Sequence, residues 1–438
     1  MTVRARRWLY VFAISIFGLM SPLLLLYANG YRFDWRRIRL LRTGGVVVTS
    51  VPTDARVFLD GQSFARTTPM NITAEFPGTY RLTLERPAFQ SWSSTVNIQA
   101  SQTRKIDATL LPSTPRRTEF TFDRVLTAAS GSSGRLAVLS QSNGQAWLGV
   151  AHPSAVEYRP LARLVLPPAA APVLAWSARG SFIAVLLPNA ALRIIDATDG
   201  HDVTPRSAQQ PFDRITWDPG NDRLLYAVGG GSLWRVDLIS SSAQVVASPG
   251  VRDVAIANGE TWVLRAGDHQ LSVQRLDPLA INTIQYQTRL HAALDITRIY
   301  AIHRHVVVTA GPTGVAVLDR RTGETDVLPI TDLQEAVIDT TDSFVLLRTP
   351  TELWSVDIGH STESLVVSQS SLRAARWYPK RPVALVLTDD GLRLEDIFLR
   401  SGVAGTLGPF PDARQLHLID DRTVIVETDH TLVAFQLH

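Results

Sequence analysis

Few residues in this 438-residue chain have types and spacings that suit chemistry, and each falls short of a site. His303 and His305 are the one histidine pair at i, i+2 spacing, which would set two imidazoles on one face of a strand. Zinc needs at least a third protein donor, and none accompanies the pair, so solvent-facing or loop histidines are expected. Asp196, Asp199 and Gly200 (DATDG) match the opening of a calcium loop. The next positions, His201-Asp202-Val203-Thr204, do not supply its remaining oxygen donors, so a turn is expected there. Asp389-Asp390-Gly391 reads the same way. Asn71-Ile72-Thr73 is a glycosylation sequon, meaningful only in a host that uses one. No Gly-x-Ser-x-Gly elbow, P-loop or His-Glu-x-x-His is present, so the commonest hydrolase and nucleotide signatures fail. The expected catalytic, cofactor-binding and metal-binding residues are therefore none, with no cofactor and no enzymatic activity.

Composition narrows the class. The length favours two or three domains, and 45% hydrophobic residues exclude a mostly disordered chain. Cysteine is absent, which removes disulfides and thiolate metal sites without fixing a compartment. The basic balance is local. Residues 1–44 hold eight Arg and one acid, a net of +7, whereas the remainder is net −4. A mildly acidic body argues against nucleic acid as partner.

Residues 8–28, WLYVFAISIFGLMSPLLLLYA, carry no charge. As a helix rising ~1.5 Å per residue they would cross a bilayer core of ~30 Å. Pro22 would kink that helix without disqualifying it. Trp8, Tyr10, Tyr27 and Tyr31 stand where an interfacial aromatic belt belongs. A cleaved signal peptide would have a shorter apolar core, and Leu26-Tyr27-Ala28 is a poor cleavage site. Residues 1–30 are thus expected to be a cytoplasmic tip and transmembrane anchor in contact with the lipid bilayer. Residues 31–43 follow as a basic juxtamembrane segment. Arg4, Arg6 and Arg7 argue for a cytoplasmic N-terminus, but Arg32, Arg36, Arg37, Arg39 and Arg42 follow the apolar run, so the charge count is near balance or slightly favours the reverse. Residues 36–42 (RRIRLLR) have a second reading, as a short amphipathic stretch along an anionic headgroup surface.

Residues 44–111 read as a small antiparallel β-sandwich of five or six strands. Val46-Val47-Val48-Thr49-Ser50 is a strand, and Pro52 and Asp54 mark a turn. Arg56-Val57-Phe58-Leu59 is closed by the hairpin signal Asp60-Gly61. Alternating strands follow at 79–85, 95–99 and 105–110. Gly45-Val46-Val47-Val48, Ser50-Val51-Pro52, Ala55, Val57 and Leu59-Asp60-Gly61 resemble the PEGA domain, a prokaryotic surface-associated module. Thr68-Pro69, Gly78-Thr79-Tyr80 and Ala108-Thr109-Leu110 continue the resemblance over about seventy residues. The namesake Pro-Glu-Gly-Ala stands here as Pro52-Thr53-Asp54-Ala55, and the usual Gly-Tyr as Ala88-Phe89. Those departures leave the fold intact but cast doubt on any ligand read from the turn. The resemblance implies placement outside the membrane, hence an extracytoplasmic bulk, and a binding or spacer role without catalysis. Asp60-Gly61 and Thr68-Pro69 are expected to be turn chemistry.

Residues 112–118 (PSTPRRT) read as a semi-rigid linker. Beyond them, residues 215–238 (ITWDPGNDRLLYAVGGGSLWRVDL) contain three short strands parted by Asp218-Pro219-Gly220-Asn221 and Gly229-Gly230-Gly231. The plan recurs about every forty residues, the period of a β-propeller with four-stranded blades. Eight copies are read over 119–438, with seven as the alternative. Their central strands fall near 136–139, 182–187, 224–228, 261–264, 306–309, 343–347, 383–387 and 423–427. Trp176, Trp217 and Trp377 recur at one place in three copies and are expected to pack blade on blade. The blades resemble WD-repeat propellers in pattern only, since Trp217-Asp218 sits at the wrong place in the repeat. The last copy lacks a strand that 119–122 would supply beside 432–437, closing the ring.

The expected fold class is all-β, with an N-terminal transmembrane helix, a PEGA-like sandwich and a propeller. The expected function is a single-pass cell-envelope binding or scaffolding protein with a protein or cell-wall glycan partner. The alternative is an envelope enzyme, a glycan lyase or hydrolase, with its site in the propeller funnel. A third reading keeps the propeller in the cytoplasm as an assembly platform.

Overall fold

The structure is a computed structural model. It describes residues 3–35, 38–131, 134–167, 172–257, 259–267, 270–276, 284–290, 296–302, 306–311, 313–319, 322–339, 343–358, 362–369, 371–378, 381, 383–397 and 403–437. The chain divides into two compact units, 1–114 with 399–405 and 115–398 with 406–438.

The first unit opens with α1, Val3–Ala28, a helix of 26 residues containing Pro22. Phe12, Ile14, Phe17, Leu19 and Leu24 on it are all exposed. Among the described residues no helix is long and apolar enough to cross a membrane. The helix stops where Gly30 takes a φ of 82°, the left-handed conformation that glycine adopts at helix ends without strain. Asn29 also donates through its side chain to the Leu25 carbonyl at 2.8 Å. A two-stranded hairpin follows, β1 (Tyr31–Asp34) and β2 (Arg39–Arg42), with Tyr31 opposite Arg42 and Phe33 opposite Leu40.

The sandwich has seven strands: β3 (Gly44–Val51), β4 (Arg56–Leu59), β5 (Gln62–Thr67), β6 (Met70–Glu75), β7 (Gly78–Glu85), β8 (Trp92–Ile98) and β9 (Thr103–Thr109). One sheet runs β6-β3-β9, and β8, β7, β4 and β5 are neighbours in that order in the other. Alternation puts Val46, Val48, Ile72, Ile106 and Ala108 of the first sheet in the core with Val57, Leu82, Leu84, Trp92, Val96 and Ile98 of the second. The sheets are not wholly antiparallel as expected, because β9 pairs with β3 in parallel. The chain reaches β9 from β8, in the other sheet, so it re-enters the first sheet pointing along β3. β5 and β6 are additional strands. β5 is almost entirely exposed and β6 turns only Ile72 inward, so neither shows the alternation that marks a strand in sequence.

In the second unit the forty-residue repeat becomes a succession of small sheets. The first holds Arg124–Ser130, Leu136–Ser142, Gln145–His152 and Glu157–Leu164 in chain order. The innermost strands of the rest are Val173–Trp176, Arg214–Trp217, Val251–Ala257, Arg298–Ile302, Glu335–Ile338, Leu372–Trp377 and Ala413–Leu418. Each expected central strand is found, for example Phe182–Leu186 and Leu224–Gly229. A sheet with two apolar faces must stack to bury them, and the clusters run from sheet to sheet. Leu139, Leu148 and Val150 meet Leu174, Trp176 and Ile183. Val125 and Val138 meet Ile425, Leu432 and Ala434, so the last sheet packs on the first.

That last sheet is completed from the other end of the chain. Arg117–Thr121 pairs antiparallel with Thr431–Gln436, placing Glu119 opposite Val433 and Phe120 opposite Leu432. The pairing is the expected one, but the strand begins at Arg117, inside the stretch read as linker. Phe122 follows it and donates its amide to the His430 carbonyl at 2.8 Å.

Candidate functional site

The residues singled out for chemistry are mostly turn builders. Asp196 accepts the Thr198 amide through its side chain at 2.7 Å, and Asp199 accepts that of His201 at 2.9 Å. These carboxylates therefore close Asx turns. Gly200, at φ 81°, is required there: a Cβ would come within 2.3 Å of the Leu161 carbonyl oxygen. Asp389 takes the Arg373 guanidinium at 2.8 Å, which holds its carboxyl below the usual range. Asp390 pairs with Arg393 at 3.1 Å. Asn71 is exposed on β6. His303 and His305 lie outside the described residues.

In the sandwich, Asp60 forms the hairpin turn and also accepts the Arg81 amide at 2.7 Å, tying the turn to β7. Thr68 is buried. Its hydroxyl accepts the Ala55 amide at 3.0 Å and bonds Ser50 Oγ at 2.5 Å. The segment 52–55 is thus strapped down from inside, consistent with turn chemistry.

The three recurring tryptophans form one device. Trp176 Nε1 donates to the Ala129 carbonyl at 2.9 Å, Trp217 to Ala175 at 3.0 Å and Trp377 to Val337 at 2.6 Å. Each indole crosses from its own innermost strand to that of the preceding sheet, so a blade contact is both apolar and hydrogen-bonded. Asp222 does the same between turns, accepting the Arg179 amide at 2.6 Å. Burial pushes its carboxyl up, but bonds from Ser177, Ser181 and two backbone amides outweigh that and hold it low.

Charged side chains bridge the innermost strands too. Asp253 is buried. It accepts the amides of Val254 at 3.0 Å and Ile299 at 2.8 Å, and Arg214 Nε lies 3.5 Å away. Burial raises its carboxyl despite these partners. Glu335 is held by Arg348 and Arg376. Sequence reading missed the pairs Arg214–Asp253 and Glu335–Arg376, whose partners sit in successive repeats and meet only when neighbouring blades stack.

Two clefts gather charged side chains. One, about 530 Å³, is lined by Asp213, Arg214, Asp253 and Arg298 with Ile256 and Tyr300. The other, about 640 Å³, gathers Arg124, Arg163 and Arg414 with Gln141 and Gln145. Arg414 pairs with Asp429. Arg124 and Arg163 have no carboxylate partner among the described residues. A guanidinium presents a planar fork of donors that matches a carboxylate or phosphate two bonds at a time. This cleft therefore suits acidic groups on a ligand. A third hollow, about 420 Å³, lies at the ring seam against Phe122, Asp123, Trp147 and Tyr158. Phe122 and Tyr158 meet edge to face at 5.0 Å. Gly149 makes room for that phenol, because a Cβ there would fall 2.4 Å from its oxygen.

Known proteins resemble both the sandwich and the larger unit. The sequence profile of the PEGA domain matches residues 43–114. The structure of the Dos1 propeller is similar at 12% identity and a TM-score of 0.57, over 74% of this chain and 94% of that one. BamB from Moraxella catarrhalis is similar at 11% identity and a TM-score of 0.53, over 74% and 99%. The computationally designed Ika8 protein follows at 14% and 0.50, over 72% and 98%. Identities this low carry the fold alone. No curated protein matches the chain. Residues 43–114 are a PEGA domain, and the larger unit has a β-propeller fold.

Proposed function

We propose that the chain is a single-pass membrane protein that holds its PEGA domain and an eight-bladed propeller at the outer face of the cell envelope. There it binds or scaffolds a protein or cell-wall glycan partner that offers acidic groups to the Arg124–Arg163–Arg414 cleft. The observation that carries the anchoring is the helix Val3–Ala28. Its described apolar side chains are exposed through most of its length, and the sequence is uncharged from residue 8 to residue 28. Burying such a surface is worth roughly 25 cal/mol per Å², and lipid is the cover that suits an all-apolar helix. The sheet order supports eight blades, with the closing strand Arg117–Thr121 completing the last. The PEGA domain supports the outer face and an N-terminus in the cytoplasm.

A second reading places a glycan lyase or hydrolase in the funnel, and the cleft holding Asp213 and Asp253 favours it. Against it, both oxygens of Asp253 are committed to backbone amides, leaving Asp213 without a free partner for acid–base work. Fractionation of cells making the full chain tests the anchor. Full-length protein is expected in the membrane pellet after alkaline carbonate extraction, and a chain beginning at Gly44 in the supernatant. Release of full-length protein by carbonate would refute the anchor.

A further inference from the structure

The β1–β2 hairpin is a two-stranded sheet, which is marginal in water unless something covers a face. Its register sorts the side chains. Opposite residues share a face, so Tyr31 and Arg42 join Phe33 and Leu40 on one side, and Arg32, Asp34, Arg39 and Leu41 take the other. The first face is largely uncovered: Phe33 is 42% and Leu40 45% exposed, and at the tip Trp35 is 84% and Ile38 78% exposed. Phe33 and Trp35 pack edge to face at 4.7 Å, making one apolar ridge. Ile38 holds a φ of 49°, a left-handed conformation that is costly for a β-branched residue and easy for Gly or Asn. An exposed aliphatic side chain is thus kept at a position where folding alone favours another residue.

The hairpin is joined to the end of the apolar helix. Thr43 bonds the Gly30 carbonyl through both its amide and its hydroxyl, at 2.9 and 2.8 Å, pinning the hairpin base to the turn after α1. Arg32 lies over the Tyr27 ring, 3.5 Å from its centroid, and donates to the Tyr27 carbonyl at 2.9 Å. At ~3.3 Å per residue the tip cannot be more than about 15 Å from that base, within reach of the interface where α1 would leave the bilayer. The charge fits the same place: residues 31–42 hold five Arg and one acid.

We propose that this hairpin is a second membrane contact, with Phe33, Trp35, Ile38 and Leu40 set among the headgroups of an anionic bilayer and Arg39 and Arg42 on lipid phosphates. Aromatic and aliphatic side chains favour that depth, and basic residues beside them gain from the negative surface. The proposal rests on the helix spanning the membrane, and the test separates the two.

The chain has no cysteine, so single Cys variants can carry an environment-sensitive fluorophore without background. Full-length Ile38→Cys, Leu19→Cys and Ser154→Cys would be labelled and reconstituted into vesicles with and without anionic phospholipid, using lipids spin-labelled high on the acyl chain. Labels at 19 and 38 are expected to shift to the blue and to be quenched several-fold more than the label at 154. Quenching at 38 should fall when anionic lipid is omitted or when Arg39→Gln and Arg42→Gln are added. A label at 38 that stays in water while that at 19 reports lipid overturns the hairpin contact and leaves the anchor standing. Labels at 19 and 38 both in water overturn the two together. Quenching at 38 indifferent to lipid charge removes anionic lipid from the proposal.

Discussion

Trp217 shows how much a single atom contributes to the ring. Its indole stacks near Phe182 at 6.3 Å between centroids, and its Nε1–H satisfies the Ala175 carbonyl of the preceding blade. Trp217→Phe keeps most of the apolar contact and leaves that carbonyl without its donor. Denaturant unfolding should show a loss of about 0.5–1.5 kcal/mol, the net worth of one hydrogen bond. Unchanged stability would mean that water replaces the indole. Glu395 supplies a second residue-scale test. Burial pushes its carboxyl up to about 7, with Arg393 only partly offsetting it. A carboxyl raised in the folded state contributes its stability in full below its unfolded value of 4.5, and that contribution is lost as pH rises through about 7. Relative to Glu395→Gln, the wild-type protein should therefore weaken between about pH 5 and pH 8, by at most about 3 kcal/mol. Parallel stability curves for the two would contradict the burial of this charge.

At the scale of elements, the closing strand joins the two ends of the propeller. Removing residues 115–122 strips Thr431–Gln436 of its neighbour and exposes a ladder edge that invites pairing with other chains. Unfolding should move to lower denaturant by several kcal/mol, a large share of a domain's 5–15 kcal/mol, with aggregation on heating. A variant as stable and monomeric as the parent would show that the ring does not depend on this strand. The strand was legible because a repeat short of one strand at its end and long by one at its start has a single economical solution. The blades were legible because strands at forty-residue spacing, with Gly, Asp and Asn between them, leave a periodic trace. β5 and β6 left none, since their side chains face water. The direction of β9 depends on the sheet to which the chain returns, which local pattern does not encode.

Across the whole molecule, the candidate binding site is the part that sequence could not show. Arg124, Arg163 and Arg414 are unremarkable among 43 basic residues, and Arg414 reaches the first blade only because the ring closes. Its guanidinium approaches the Val125 carbonyl, 289 positions away in sequence, at 3.4 Å. The proposed membrane helix is the reverse case, since its uncharged run over residues 8–28 is plain in sequence. Membrane anchorage and outward display together form the central claim, and labelling of intact membranes tests it most directly. Ser154 lies exposed in a propeller turn of a chain without cysteine. Spheroplasts producing full-length Ser154→Cys should react with a membrane-impermeant maleimide to the same extent before and after lysis. Reaction only after lysis would put the propeller in the cytoplasm and contradict the account.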